Sequence, residues 1–229
     1  MKIGYTGLEI PEGKIKYNDE KLDSLVYKDK PEKITPYFVE FIKDEYVSTE
    51  AIVISKYNLL DLLILDIEKI ENRLNRVINQ NEKKLLNKCL NILEDEKPLN
   101  TIDLNENEKK VMLELAPHSF KPVIISDNDF DINSIIKETI KKAGYMFFYT
   151  TGKSESRGWL TKINSNIVTC ASKIHSDLAR GFIKGDVVSF EDYMKHYNFK
   201  ECKSKGISKI VDKDYIVQNG EIIEIRFNV

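Results

Sequence analysis

The residues with the clearest chemical potential are two glycines and a lysine within KIGYTGLEIPEGKIKY, from Lys2 to Tyr17. A phosphate-binding loop has the pattern G-x-x-x-x-G-K-[ST], in which backbone amides cradle phosphates, the lysine reaches them and the hydroxyl binds Mg²⁺. Here Gly7 and Gly13 are separated by five residues instead of four, and Ile15 follows Lys14. The stretch therefore departs from the pattern in its spacing and in the metal-binding hydroxyl.

The sequence after this stretch also differs from what a phosphate loop needs. Such a loop opens a helix whose amino terminus faces the anion, whereas Pro11 interrupts the stretch and helical periodicity begins only at Asp19. We therefore expect a short strand over Lys2–Thr6, no catalytic residue, no cofactor and no metal. The chain is predicted not to be an enzyme, and binding of ATP or GTP is the alternative.

The cysteines and histidines offer no other catalytic arrangement. Cys89, Cys170 and Cys202 are far apart and form no CxxC pair, so neither a disulfide framework nor a zinc site is predicted. Cys170 and His175 are five residues apart on one predicted helix, a spacing that does not place both side chains on one face. The spacing favours a buried cysteine and a histidine at a helix end.

Composition describes a globular chain, which we expect in the cytoplasm. With 229 residues, 41% hydrophobic and 31% charged, the chain is long enough for one large domain or two small ones. The longest apolar run, around Leu62–Leu65, is broken by Asp61 and Asp66, so we expect no association with a membrane. The amino terminus has no pattern of a secretion signal.

Periodicity divides the chain into strands and helices. Stretches of apolar and β-branched residues predict strands over Ile34–Ile42, Glu50–Ser55, Lys121–Ser126 and Met146–Thr151. A long helix is predicted by one apolar seam, formed by Leu60, Leu63, Ile67, Ile70, Leu74 and Val77. The further predicted elements are a helix through Leu86–Leu93, a helix opened by Asn105 and Glu108, helices over Ile132–Gly144 and Asn166–Phe182, and a terminal hairpin over Lys213–Val229 that turns at Asn219-Gly220.

A set of basic and aromatic residues in the last third of the chain is suited to binding RNA or another partner. From Phe147 to Val229 there are 13 Lys and Arg against 10 Asp and Glu. Basic side chains contact phosphates, and an aromatic ring offers a stacking face to an unpaired base. The alternative is a solvated charged face with Trp159 in the core. The residues predicted for this surface are Lys153, Arg157, Trp159, Lys173, His175, Arg180 and Lys184.

Three stretches of the same region carry a family resemblance, because they match in order and spacing. They are FFYTTGKSESRGWL (Phe147–Leu160), IHSDLARGFIKGDVVSFEDYM (Ile174–Met194) and KDYIVQNGEIIEIRFNV (Lys213–Val229). These stretches resemble the C-terminal TGS domain of the YchF family, the Obg-related P-loop ATPases and GTPases. Further back, Leu59–Val77 is similar to the family's first coiled-coil helix, and Asn18–Phe41 to the stretch that leads to its switch II.

The resemblance implies particular roles and losses. The switch II motif of the family, Asp-x-x-Gly, aligns with Lys43-Asp44-Glu45-Tyr46, where a lysine replaces the carboxylate and a bulky side chain replaces the glycine. The base-recognition motif, Asn-x-x-Glu, aligns with residues 128–131, so Asn128 and Asp131 are implied as purine contacts. Asp131 would alternatively cap the helix that follows it.

With this resemblance, we expect an α/β (α+β) fold in three parts. These are a reduced G-domain-like α/β base (1–56 and 117–146), a helical hairpin or coiled-coil arm (57–116) and a C-terminal TGS β-grasp domain (147–229). The expected function is non-hydrolysing binding of RNA or the ribosome. Residual ATP or GTP binding and a regulatory scaffold for a partner enzyme are the alternatives, and a homodimer is also expected.

Overall fold

The computed structural model describes residues 1–127 and 129–228, which form two compact units. The first unit comprises Met1–Ile15 and Val39–Ala143, and the second comprises Lys16–Phe38 with the residues from Gly144 onward. The predicted domain limits differ from these units chiefly at Lys16–Phe38, which the sequence placed with the base. In chain order, the elements are β1 (Lys2–Thr6), β2 (Gly13–Lys16), α1 (Glu20–Asp29), β3 (Lys33–Thr35), β4 (Phe38–Lys43), β5 (Ala51–Ser55), α2 (Leu59–Leu74), α3 (Gln80–Glu94), α4 (Glu106–Leu115), β6 (Val123–Ser126), α5 (Ile132–Lys142), β7 (Tyr145–Thr150), β8 (Glu155–Lys162), α6 (Ile167–Ile174), α7 (Ser176–Arg180), β9 (Phe182–Val188), α8 (Phe190–Met194), α9 (Phe199–Ser204), β10 (Lys209–Val211) and β11 (Ile222–Phe227).

The first unit is built on a sheet with the strand order β2-β4-β1-β5-β6. β1 is parallel to β4 and to β5, and β5 is parallel to β6. All five residues of β5, AIVIS, are buried, as expected for a parallel strand that is covered on both faces. The carboxyl ends of these parallel strands therefore meet at one edge of the sheet.

The helices α2, α3 and α4 share one hydrophobic core with this sheet. Ile54 of β5 lies in the same buried cluster as Leu63 of α2, Leu86 of α3 and Met112 of α4. The apolar faces that predicted a helical arm are thus packed in the core of the unit. Of the helices that the structure describes, none is long and apolar enough to cross a membrane.

The buried face of α2 differs from the predicted seam at its start. Leu60 is 47% exposed, whereas Leu62 and Leu63 are buried. The helix also ends at Leu74, so the last residue of the seam, Val77, packs against the core from outside the helix. The buried face therefore begins with Leu59, the first residue of the helix, and continues with Leu62 and Leu63.

A buried carboxylate on α2 has no counterpart in the predicted seam. Asp66 is fully buried and accepts hydrogen bonds from the backbone amides of His118 at 2.6 Å and Ser119 at 2.7 Å. These amides belong to a 3₁₀ turn, His118–Phe120, that precedes β6. Asp66 therefore fastens α2 to the segment that leads into the sheet.

The strand predicted over Ile34–Ile42 is two strands that belong to different sheets. β3 is parallel to β8, whereas β4 is parallel to β1. Pro36 lies in the gap between β3 and β4, and a proline cannot donate to a strand ladder. The single predicted strand is therefore wrong at this proline.

The second unit contains a mixed sheet with the order β10-β9-β11-β7-β8-β3. β7 and β8 form an antiparallel pair, and β11 is antiparallel to β9 but parallel to β7. One buried cluster joins the sheet residues Phe148, Val187 and Ile223 to Ile167 and Cys170 of α6. The sheet therefore has a hydrophobic face that α6 covers.

Two buried carboxylates hold α1 in the second unit. Asp29 is 6% exposed and accepts from the hydroxyls of Tyr193 at 2.7 Å and Thr151 at 2.6 Å. Asp19, the N-cap of α1, accepts from the Tyr149 hydroxyl at 2.7 Å. Because these partners follow in the chain by more than 100 residues, sequence periodicity did not reveal where α1 packs.

The predicted terminal hairpin is wrong. Ile222–Phe227 forms β11, and its antiparallel partner is β9 rather than the residues after Lys213. The turn that Asn-Gly predicts needs positive φ at both residues, but of the two only Gly220 has one, at 94°. Asn219 and Gly220 instead bond to Phe147, with the Asn219 Oδ1 accepting from its amide at 3.2 Å and the Gly220 amide donating to its carbonyl at 2.7 Å.

The helix predicted over Asn166–Phe182 is also interrupted. His175 lies between α6 and α7, and its φ of −161° is extended. The His175 ring Nδ1 accepts from the Asp177 amide at 3.2 Å. His175 therefore acts as the N-cap of α7, and Cys170 and His175 do not share one helix.

Candidate functional site

The carboxyl ends of β1, β5 and β6 meet where the strand order of the first sheet reverses. The chain leaves β1 toward one side of the sheet and leaves β5 toward the other, and ligands of open α/β sheets bind in the crevice at such a point. A pocket of about 360 Å³ lies there. We call it the carboxyl-edge pocket, and it is lined by Gly7, Ser55, Lys56, Tyr57 and Asp127.

Gly7 allows the chain to approach closely at the base of this pocket. Its φ is +71°, and an added Cβ would lie 1.9 Å from Asn58 Oδ1 and 2.6 Å from Ser55 Oγ. Ser55 Oγ donates to Asn58 Oδ1 at 2.8 Å, which fixes both side chains. Only glycine fits this position without a rearrangement, because the side chains of Asn58 and Ser55 occupy the space that a Cβ would take.

The other side chains of the pocket offer a cation, an aromatic ring and a carboxylate. Lys56 and Asp127 are exposed, and Tyr57 is 90% exposed. A lysine is a point charge suited to phosphate, an exposed ring can stack on a base, and a carboxylate accepts from amino or hydroxyl groups. These three groups match the parts of a nucleotide.

A neighbouring hydroxyl network lies after β1 and β4. Thr6 Oγ1 donates to Asp44 Oδ1 at 2.9 Å and lies 2.6 Å from the Tyr46 hydroxyl. Burial raises the pKa of Tyr46, so its phenol stays protonated at neutral pH. The Lys121 ammonium donates to the backbone carbonyls of Tyr46 at 2.6 Å and of Val47 and Thr49 at 2.7 Å. These bonds hold the loop between β4 and β5 against the sheet.

The stretch compared with a phosphate loop and the region aligned with the base-recognition motif have different local structures. The stretch with the two glycines runs from β1 into a strand, β2, with Gly13 at a φ of 104°. Asn128 lies outside the described residues. Asp131 is the N-cap of α5 and accepts from the amide of Ser134 at 2.9 Å and its hydroxyl at 2.7 Å. These bonds lower the pKa of Asp131, in agreement with the capping alternative.

Among the seven residues predicted for RNA or partner contact, the structure brings Arg157 and Trp159 together on β8. The Arg157 guanidinium carbon lies 3.7 Å from the Trp159 ring centroid. Phe148 stacks on the same indole with ring centroids 6.3 Å apart, and Trp159 Nε1 donates to Thr150 Oγ1 at 2.9 Å. Trp159 is therefore a half-buried core residue covered by a cation.

Three further residues of the set lie on or beside α6 and α7. Lys173 and His175 are exposed, and Asp177 pairs with Arg180 at 2.9 Å and approaches the His175 ring at 3.6 Å. Ion pairs between exposed groups contribute little energy, so Arg180 can exchange its carboxylate for a phosphate.

Lys153 and Lys184 are separated from this group. Lys153 Nζ donates to the Asp29 carbonyl at 3.2 Å. Lys184 pairs with Asp212, and it alternates along β9 with Val187 and Gly185, which face the core beneath α6. Because side chains alternate along a strand, Lys184 points to the opposite face. The seven residues do not form one surface.

The cysteines carry no nucleophile in this fold. Cys89, Cys170 and Cys202 are free and buried. Burial raises the pKa of the Cys170 thiol to about 12, so the thiolate is not populated at neutral pH. Within the described part of the chain, no cluster of three or more His, Cys, Asp or Glu residues is placed to hold a metal ion.

Sequence reasoning missed Ser55, Lys56 and Tyr57 as site residues. They follow directly after the buried strand AIVIS, and polar residues at the carboxyl end of a buried parallel strand are the signal that could have found them. Their proximity to Gly7 depends on the pairing of β1 with β5, which one sequence does not reveal.

A solved structure shares this architecture. The Schizosaccharomyces pombe YchF GTPase matches 95% of this chain and 88% of its own, with a TM-score of 0.77 and 16% sequence identity. At this identity, the likeness shows the fold, which is that of a mixed α/β protein.

Sequence comparisons agree with this likeness. Residues 145–228 match the family YchF-GTPase_C, described as a protein of unknown function (DUF933). The protein named ribosome-binding ATPase YchF of Bacillus subtilis is 23% identical over 237 aligned positions, and that of Mycoplasma genitalium is 28% identical over 179. These alignments cover 74% and 78% of this chain but 65% and 45% of the relatives, so the chain spans less than two thirds of their length. Together, the comparisons show that the chain is similar to YchF proteins, and the family model itself matches residues 145–228.

The prediction that the chain is not an enzyme is contradicted by these relatives. The curated proteins are named ATPases and the solved structure is named a GTPase, so the proteins that this chain resembles are nucleotide hydrolases. The prediction depended on the spacing of Gly7 and Gly13, on the residue after Lys14, on the absence of a helix behind this stretch and on the replaced switch II motif.

Proposed function

We propose that this chain is a ribosome-associated protein that binds and hydrolyses a purine nucleoside triphosphate. The observation that supports the nucleotide part is the carboxyl-edge pocket, which lies where the order of the first sheet reverses. Nucleotide hydrolysis and ribosome binding are what the relatives are named for. The predicted cytoplasmic location, homodimer and scaffold role stay predictions.

The three exposed side chains of the pocket each have a proposed part in nucleotide binding. Lys56 would contact the phosphates, because it supplies a cation at the pocket. Tyr57 would stack on the base with its exposed ring, and Asp127 would accept from a ribose hydroxyl or a base amino group.

Calorimetric titration with ATP and with GTP, each with Mg²⁺, tests this site. A charged hydrogen bond contributes about 1.5–3 kcal/mol, and Lys56 is exposed, so we expect Lys56→Ala to weaken binding by about tenfold. Lys84→Ala, which removes an exposed lysine from α3, is the matched control and should bind like the wild type. Equal affinity of Lys56→Ala and wild type would rule out the pocket.

Release of phosphate from the same nucleotides tests the hydrolytic part. We expect turnover that falls in Lys56→Ala together with binding. If the chain binds nucleotide but releases no more phosphate than a protein-free control does, the proposed binding site stands and the proposed hydrolysis is wrong.

We also propose that the second unit is a TGS-type β-grasp domain whose ribosome-facing surface surrounds α6 and α7. The mixed sheet covered by α6 supports the domain type. Arg157, Lys173 and Arg180 would contact phosphates of ribosomal RNA. Lys173 and Arg180 lie on α6 and α7, and Arg157 lies on the face of the sheet that α6 covers.

Charge reversal on the two faces tests this surface. We expect Lys173→Glu with Arg180→Glu to reduce the fraction of protein that sediments with ribosomes. Lys184→Glu is the control, because Lys184 lies on the opposite face of the sheet. If the control lowers association as much as the double variant does, net charge and not this face determines binding.

A further inference from the structure

A second cavity lies along the open edge of the first sheet. β6 ends the strand order and pairs with β5 alone among the strands described. The cavity beside it has a volume of about 570 Å³, which is within the range of about 300–1,000 Å³ that holds small ligands. We call it the β6-edge cavity, and its lining includes Asn100, Pro122, Val123, Ile125 and Lys142.

The backbone of β6 presents hydrogen-bonding groups to this cavity. The Ile52 amide donates to the Pro122 carbonyl at 2.9 Å, so Pro122 and, by alternation, Ile124 direct their groups toward β5. Val123 and Ile125 therefore direct their N–H and C=O groups to the open side. The Ile125 side chain is also 45% exposed, so this edge has the features of a strand without a neighbour.

Asn100 lines the same cavity, and its side-chain carbonyl oxygen, Oδ1, is buried. Its Oδ1 has no hydrogen-bond partner among the described residues. Buried polar atoms in native proteins are nearly always paired, because an unpaired one carries its full desolvation cost. An N–H donated by a bound molecule would satisfy this oxygen.

Lys142 supplies a positive charge at the cavity wall. Its ammonium pairs with Glu138 on the preceding turn at 2.9 Å, and the two side chains are 47% and 50% exposed. Such an exposed pair is weak, so a carboxylate that enters the cavity can replace Glu138. The charge of Lys142 therefore favours an anionic ligand at this cavity.

We propose that the β6-edge cavity binds an extended peptide segment that ends in a free carboxylate. The peptide adds to β6 as a strand, and its amides pair with Val123 and Ile125. One peptide N–H reaches Asn100 Oδ1, and the terminal carboxylate pairs with Lys142. An unpaired strand edge favours a backbone over other ligands, and the adjacent cation favours its carboxyl terminus. This inference does not depend on the nucleotide site.

The test uses the full chain, labelled with ¹⁵N, and a degenerate pool of N-acetylated apolar tetrapeptides with free carboxylates. The amides of Val123 and Ile125 should shift and exchange more slowly with solvent when the pool is added. The same pool as C-terminal amides should bind about threefold to fivefold more weakly, because it lacks the charge that pairs with Lys142.

Three variants separate the contributions of the cavity. Ile125→Pro removes an N–H that faces the cavity and not β5, and edge strands accept proline, so binding should be lost. Lys142→Ala should abolish the difference between acid and amide pools, whereas Lys137→Ala, an exposed lysine of the same helix, should leave it unchanged. Asn100→Ala should keep the wild-type unfolding midpoint, because its Oδ1 makes no hydrogen bond, and should weaken binding about threefold or more.

Several results overturn the proposal. They are the absence of a response at Val123 and Ile125 to either pool, an unchanged acid preference in Lys142→Ala, and wild-type binding in a folded Ile125→Pro. Shifts at the same amides that grow with protein concentration without peptide assign the edge to a second copy instead. If Ile125→Pro is unfolded, the acid preference in Lys142→Ala decides between support and rejection.

Discussion

Replacement of Asp66 with alanine should destabilise the first unit by about 3 kcal/mol, for reasons that its surroundings make quantitative. Its carboxylate is fully buried and accepts from the His118 amide at 2.6 Å and the Ser119 amide at 2.7 Å. A hydrogen bond to a charged group contributes about 1.5–3 kcal/mol, and a buried donor left unpaired costs about 1–3 kcal/mol. Ser119 is buried and the bond to His118 is only partly buried, so one full and one partial contribution give the estimate.

Urea unfolding followed by far-ultraviolet circular dichroism measures this change. With a slope of about 2 kcal/mol per molar, the midpoint should fall by about 1.5 M in Asp66→Ala. Glu68→Ala removes an exposed carboxylate from the same helix and should stay within about 0.5 kcal/mol of the wild type. Equal shifts in the two variants would refute the reasoning that Asp66 fastens α2 to the turn before β6.

Two further predictions concern the second unit. Burial alone would raise the pKa of Asp186, but Arg226 and Lys203 hold this pKa below its ordinary value. The ionised carboxylate therefore stabilises the folded protein fully at pH values above the ordinary carboxyl range. This stabilisation is lost as the pH falls through the lowered pKa of the folded protein. Asp186→Asn should remove that acid dependence of the unfolding midpoint, measured by Trp159 fluorescence, and an unchanged dependence would contradict the assignment. Because burial raises the pKa of Cys170 to about 12, iodoacetamide at neutral pH should modify this cysteine only after unfolding, and mass spectrometry that finds rapid modification of the native protein would show the burial to be wrong.

Local features of the fold were predictable because neighbouring residues determine them. The capping box of Asn105 and Glu108 is present with both of its hydrogen bonds, and β1 occupies Lys2–Thr6 as expected. The strand before Asp127 and the helix capped by Asp131 also lie where the sequence placed them. In each case the deciding contact lies within a few residues.

Features that depend on distant partners were not predictable from periodicity. Asp66 is buried in an apolar face because two amides 52 and 53 residues away bond to it. The Asn219-Gly220 turn is set by Phe147, 72 residues earlier for the Asn219 contact, and not by its own hairpin propensity. A charged residue or a turn pair carries no sign of such a partner in a single sequence.

The candidate site likewise has parts that the sequence could predict and parts that depend on distant contacts. The sequence drew attention to Gly7, which does line the pocket at the carboxyl edge of the sheet. It assigned no role to Lys56 and Tyr57, because their position beside Gly7 depends on the pairing of β1 with β5. It also grouped Lys184 with Arg157, although strand alternation places Lys184 on the other face.

Co-sedimentation of the full chain with ribosomes, in the presence and absence of ATP or GTP with Mg²⁺, tests the central claim most directly. We predict that the chain sediments with ribosomes at about 50 mM salt and that the bound fraction falls steeply by about 200 mM, because phosphate contacts release counterions. We also predict that nucleotide changes the bound fraction in the wild type but not in Lys56→Ala. A chain that stays in the supernatant at the lower salt concentration, with or without nucleotide, would contradict the account.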